Sequence, residues 1–197
     1  MIIPKTLIFG SSFNPVHFGH LQLARALSQE SWIKQVILLP CGQHAFDKKL
    51  APAADRLQML ELALTDLPTN ISISHYETDQ TSGKSYTYQT LKALQKLLPH
   101  EELIFQIGSE NLLDFSRWYE AEKLAQEFDL LVVERPGSPL PSQLPYPRMR
   151  LYQAPTNSVL PNVSSTLVRE KIKQHQSIDE LVPPQVAHYL HQKKLYL

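Results

Sequence analysis

The sequence holds a single cysteine, Cys41, among 197 residues. A lone thiol excludes an internal disulfide and a cysteine cage for a metal, and it reads as a small packed side chain in a cytoplasmic protein. An excess of charge of one sign is also missing, because 19 Lys and Arg balance 19 Asp and Glu. That balance excludes an extended nucleic-acid surface, though not a local phosphate site built from a few donors. No apolar run approaches the roughly 18 residues of a membrane span. Pro4 and Lys5 interrupt the short apolar start, so no signal peptide is expected either. Glycine is scarce, six in all. Two of the six, Gly10 and Gly19, nevertheless fall with two histidines in one stretch, GSSFNPVHFGH.

Short apolar runs alternate with helical patterns along the chain. Residues 6–10, 35–40, 71–76, 102–108 and 129–134 read as strands, with 150–154 a weaker sixth, and runs this apolar suit a sheet covered on both faces. Leu21, Ala24 and Leu27 space one helical stripe. Leu57, Leu60, Leu64 and Leu67 space a second, and Leu91, Leu94, Leu97 and Leu98 a third, with Ser85 as its expected cap. Residues 116–128 predict a fourth helix capped by Ser116, and residues 164–174 a further capped one. Pro183 and Pro184 mark the start of the last helix. The proline-rich stretch 135–147 is a loop. The pattern predicts one α/β domain over residues 1–197: a doubly wound, mostly parallel Rossmann-like sheet, helices on both faces, and a C-terminal helical segment.

In such a sheet, ligands bind beyond the carboxyl ends of the strands. The turn after the first strand lies there. Gly10 is expected to let the chain leave that strand in a conformation closed to other residues. Pro15 fixes the loop, and Gly19 permits close approach where the helix starts. The first amides of that helix then form a phosphate site at the positive end of its dipole. His17 and His20, three residues apart, face one side and can donate to phosphate oxygens. His188 and His191 share the spacing but lack that setting, and read as ordinary helix residues. The stretch TSGKS (81–85) ends like a phosphate-binding loop, but Thr78 stands where that motif needs its first glycine.

GSSFNPVHFGH resembles the G-x-F-x-P-x-H-x-G-H signature of the HxGH nucleotidylyltransferases, and VSSTLVR (163–169) resembles their I-S-S-T-x-I-R. SYTYQTL (85–91), IGSENLLDFSRWYEAEKL (107–124), LVVERPG (131–137) and LVPPQVAHYL (181–190) are similar to segments of the nicotinate and nicotinamide mononucleotide adenylyltransferases. The resemblance runs nearly end to end. It implies transfer of AMP from ATP, with magnesium carried on its phosphates, to a pyridine mononucleotide, giving a dinucleotide and pyrophosphate in NAD biosynthesis. Nicotinate mononucleotide is the expected acceptor, with the nicotinamide form left open.

The resemblance also implies roles for individual residues. Gly10, Ser11, Ser12 and Phe13 shape the loop under the phosphates. His17 and His20 bind those phosphates, with His20 stabilising the transition state. Ser165, Thr166 and Arg169 hold the phosphate tail, while Gly108, Ser109 and Arg135 lie near the adenosine. Trp118 stacks on the pyridine ring, with Tyr86, Thr87 and Tyr119 around it. Three departures stand out. Asn14 and Glu110 replace the family's usual acid and Asp. The loop CGQHAFDKKLAP (41–52) replaces its P-P-H-K, so His44, Lys48 and Lys49 become the candidate cations for the mononucleotide phosphate.

Two other readings compete. A phosphopantetheine adenylyltransferase-like enzyme would share the first motif without the Ser-Tyr-Thr and Trp stretches. A nucleotide-binding regulator would keep the pocket without turnover. The expected partners are small molecules, with no nucleic acid or membrane, and a homo-oligomer is compatible with the sequence.

Overall fold

The computed structural model describes residues 3–46, 49–80, 83–135, 137–138, 140–141, 143–153 and 162–197. Its elements run β1 (Lys5–Ser11), α1 (Phe18–Ser28), β2 (Ile33–Pro40), β3 (Gln43–His44), α2 (Ala53–Leu64), β4 (Ile71–Ile73), β5 (Lys84–Ser85) and α3 (Thr87–Leu97). They continue with β6 (Leu103–Gly108), α4 (Ala121–Glu127), β7 (Asp129–Val133), β8 (Met149–Tyr152), α5 (Ser165–Lys173) and α6 (Pro184–Lys193). Six strands form one sheet in the order β4-β2-β1-β6-β7-β8, every pair of them parallel. Successive strands step outward in one direction from β1, then in the other from β6. A crevice therefore opens at the carboxyl ends of β1 and β6.

Strand alternation deals side chains to two cores. Leu7, Phe9, Ile104 and Leu131 join one core with residues of α1, α2, α5 and α6. Ile8, Phe105, Ile107 and Leu130 join the other with residues of α3 and α4. The doubly wound sheet expected from the sequence is thus present. No helix among the described residues is long and apolar enough to cross a membrane.

The structure corrects several local expectations. The third helix starts at Thr87 with Tyr86 as its N-cap, and the Ser85 hydroxyl instead accepts the Gly42 amide at 3.1 Å. Leu97 is 65% exposed, so the third stripe ends at Leu94 with Leu98 half-buried. The second stripe is rotated: Arg56, Met59, Leu60 and Ala63 are its buried residues, while Leu57 and Leu64 are half-buried. Residues 116–128 are not one helix. A 3-10 turn at Phe115–Arg117 and a left-handed Glu120 (φ 53°) precede α4, leaving Trp118 with an extended backbone. The paired strands β3 and β5 have two residues each, too few to show a period in sequence.

Candidate active site

The crevice is a cleft of about 750 Å³ lined from both ends of the chain, from Gly10 to Ser165. Gly10, next to last in β1, lies against the Phe105 ring, which a Cβ would approach to 2.7 Å. Its role is this close approach. The left-handed backbone of the turn falls on Phe13 (φ 44°), which is wholly buried and packs its ring 4.9 Å from that of His20. Gly19 meets the same need, since a Cβ there would lie 3.1 Å from both the His17 ring and Val163.

His17 is the N-cap of α1, with extended backbone and no side-chain cap bond. The Phe18 amide, expected to face a ligand, is taken by the Leu181 carbonyl at 2.9 Å. The His17 and His20 rings stack with centroids 3.7 Å apart and an interplanar angle of 27°. His20 Nε2 lies 3.3 Å from Ser11 Oγ. Burial, reinforced by the Arg135 charge, pushes His17 down to about 3. Burial, then His17 and Arg135, holds His20 well below the ordinary imidazole value. Both rings are therefore neutral near pH 7, which lets them stack and still offer N–H donors.

The second motif reaches the same place. Ser164 caps α5 by accepting the Leu167 amide at 3.1 Å, and Ser165 Oγ donates to the Pro15 carbonyl at 2.8 Å. Arg169 Nη1 donates to the Asn14 carbonyl at 2.8 Å, and Nη2 to Thr166 Oγ1 at 3.0 Å. Ser165 lines the cleft; Thr166 is exposed and Arg169 half-buried at its back, against the loop before α1. Asn14, 4% exposed, is the meeting point. Its Oδ1 accepts the Ala51 amide at 2.9 Å and the Tyr196 hydroxyl at 2.6 Å.

On the far wall, Tyr86, Thr87, Trp118 and Tyr119 come together. The Tyr86 and Tyr119 rings lie 4.7 Å apart, and Trp118 packs 5.5 Å from Phe115 and edge-on to Phe105. Trp118 and Tyr119 occupy the break before α4, which lets their rings face the cleft. Gly108, Glu110 and Arg135 line the adjoining rim, with Arg135 Nε 3.7 Å from Glu110 Oε1. Ser109 is buried behind them, accepting the Arg135 amide at 2.9 Å and donating to the Ser138 carbonyl at 2.6 Å.

His44 lies in β3 through backbone pairing with Ser85. Lys49 is exposed and is not among the lining residues. Lys48 lies outside the described residues.

Two groups that sequence reasoning passed over organise the 41–52 loop. Arg56, 1% exposed, donates to the carbonyls of Ala51 (3.1 Å), Ser12 (2.9 Å) and Gly42 (3.4 Å). It ties the replaced loop to the phosphate loop. Glu77, 5% exposed, lines the cleft and accepts Thr90 Oγ1 at 2.7 Å. Burial raises its carboxyl above the usual range, while hydrogen bonds from Thr90, Ser85 and the Gly42 backbone and the Arg56 charge oppose this. Arg56 carries a sequence signal, because it sits one turn before Leu60 on the apolar face of α2. No cluster of three His, Cys, Asp or Glu side chains suited to a metal occurs among the described residues.

Comparison with known proteins agrees with this geometry. Residues 8–171 match the cytidylyltransferase-like family. A probable nicotinate-nucleotide adenylyltransferase of Dehalococcoides mccartyi is 36% identical, covering 100% of this chain and 98% of its own length. One from Carboxydothermus hydrogenoformans is also 36% identical, with 98% of each chain covered. Among solved structures, the nicotinic acid mononucleotide adenylyltransferase of Plasmodium falciparum complexed with NaAD superposes with a TM-score of 0.87. It is 23% identical, over 98% of this chain and 97% of that one.

Proposed function

Because the chain belongs to the cytidylyltransferase-like family and, within it, to the nicotinate-nucleotide adenylyltransferases, we propose that it joins the AMP moiety of ATP to nicotinate mononucleotide. One observation carries the reading: the starts of α1 and α5 meet at the carboxyl ends of β1 and β6, where Ser165 Oγ bonds the Pro15 carbonyl at 2.8 Å. Two helix N-termini at a switch point suit a polyphosphate.

The reaction is an in-line displacement. A phosphate oxygen of the mononucleotide attacks the α-phosphorus of ATP, a new P–O bond forms, and the bond to the β-phosphate oxygen breaks, releasing pyrophosphate. Magnesium arrives on the ATP phosphates as part of that substrate. Gly10, Ser11 and Ser12 line the phosphate loop, over Phe13. His17 and His20 donate to the phosphates, and His20 meets the charge that develops as the bonds exchange. Ser165 and Thr166 at the start of α5 hold the phosphate tail, with Arg169 behind them. Gly108 and Arg135 flank the adenosine, with Ser109 fixing the Arg135 strand end. Holding both substrates in line supplies most of the rate.

Trp118 and Tyr86 offer the faces for a pyridine ring, beside Thr87 and Tyr119. No side chain caps the first turn of α3, and that turn has no acidic residue. Its amides beside Thr87 suit the nicotinate carboxylate better than a neutral carboxamide. His44, Lys48 and Lys49 belong to the loop that meets the mononucleotide phosphate. Residues 1–197 act as one catalytic unit, in the cytoplasm. The test is a steady-state comparison of pyrophosphate release with magnesium, ATP and each mononucleotide. The reading expects turnover with a higher kcat/KM for the nicotinate form. Absence of pyrophosphate with both, from folded protein, would overturn it.

A further inference from the structure

Four buried side-chain nitrogens have no hydrogen-bond partner among the described residues: His17 Nδ1, His20 Nδ1, Arg135 Nε and Gln106 Nε2. All four residues line the one cleft. A buried donor left unpaired is unfavourable, so native chains retain such groups where something else satisfies them. The histidines and the arginine already have roles above. Gln106 does not.

Gln106 lies in β6, in the apolar run Leu103–Gly108, and is 3% exposed. Leucine or isoleucine would fill that space without an unpaired amide. The amide faces a definite side. Ile104 belongs to the core shared with α1 and α5, and Phe105 and Ile107 to the opposite core, against which Trp118 packs. Alternation therefore turns Gln106 toward the two helix N-termini and away from the aromatic wall. We infer that Gln106 is a further substrate-binding residue, whose side-chain amide donates to a phosphate oxygen of the nucleoside triphosphate. The inference rests on the adenylyltransferase reading and adds to it a contact made from the sheet floor. A neutral donor adds no charge to a cleft that two buried imidazoles also line.

The test is calorimetric titration of MgATP into wild type, Gln106→Met and Gln106→Glu, with melting of each ligand-free protein alongside. Methionine keeps the length without the amide. Gln106→Met should weaken MgATP binding roughly ten-fold, the weight of one hydrogen bond to a charged acceptor. It should leave the ligand-free melting temperature unchanged or higher, since no bond is lost in the free protein. Gln106→Glu should weaken binding further, by placing a carboxylate against the phosphates. Unchanged MgATP affinity in both variants would overturn the inference, as would a clearly lower ligand-free melting temperature for Gln106→Met, which would show that the amide has a structural partner. Calorimetry reads binding without turnover. Wild type that binds MgATP yet releases no pyrophosphate would end the reaction reading alone.

Discussion

Arg169 donates from Nη1 to the backbone carbonyl of Asn14 at 2.8 Å, joining residues 155 positions apart. Through this bond and that from Ser165 to Pro15, the last third of the chain fixes the loop that follows the first strand. The fork of Arg169 is held in place by Thr166 and Asn14, behind the cleft wall that Ser165 forms.

Arg169→Lys should retain folding but lose most of the kcat/KM for ATP, roughly ten-fold or more, because an ammonium cannot reproduce a fixed two-pronged donor. Steady-state kinetics with either substrate varied reads this. A purely structural Arg169 would instead lower the melting temperature and leave kcat/KM per folded enzyme unchanged.

Tyr196, whose backbone is left-handed (φ 67°), donates its hydroxyl to Asn14 Oδ1 at 2.6 Å from the other direction. Tyr196→Phe removes one donor and leaves the Ala51 amide as the donor to Oδ1. Urea unfolding should show a loss of about 1 kcal/mol. No change in stability would mean that water replaces the hydroxyl without penalty.

The stacked imidazoles give stability a specific pH dependence. Unfolded histidines take up protons near pH 6.5, whereas folded His17 resists until about 3 and His20 is held down as well. Between those values the unfolded chain binds more protons, so stability must fall as pH falls from about 6.5 toward 3. Melting curves of the ligand-free protein should show that decline, and His17→Gln should flatten it. An unchanged slope in the variant would remove His17 from this effect.

Trp118 faces the cleft from the break before α4. Trp118→Ala should raise KM for the mononucleotide more than KM for ATP, because a stacking face worth roughly 1–3 kcal/mol per base or ring is lost on one substrate only. Equal rises in both would contradict stacking.

Much of this was legible in the sequence wherever a local rule carried it. The apolar runs predicted the six strands of the sheet. Glycine, proline and the paired histidines marked the turn into α1, and Ser164 announced α5 by its hydroxyl. What escaped notice depends on distant partners. Arg56 is a charged residue on a buried helix face, and only the carbonyls of Ala51, Ser12 and Gly42 explain it. Gln106 sits inside a strand whose other residues are apolar, so its amide was averaged away. The break at Trp118 turns on Glu120 adopting a left-handed backbone, which composition does not favour. Asn14, a departure from the family's acid, made sense only once Tyr196 and Ala51 were seen to donate to it.

The most direct measurement is pyrophosphate release by His20→Ala and wild type, with MgATP and nicotinate mononucleotide both saturating. His20 lines the cleft with its ring stacked on His17, so the account predicts a kcat, per folded enzyme, lower by roughly 10²–10³. A kcat equal to that of wild type would contradict it.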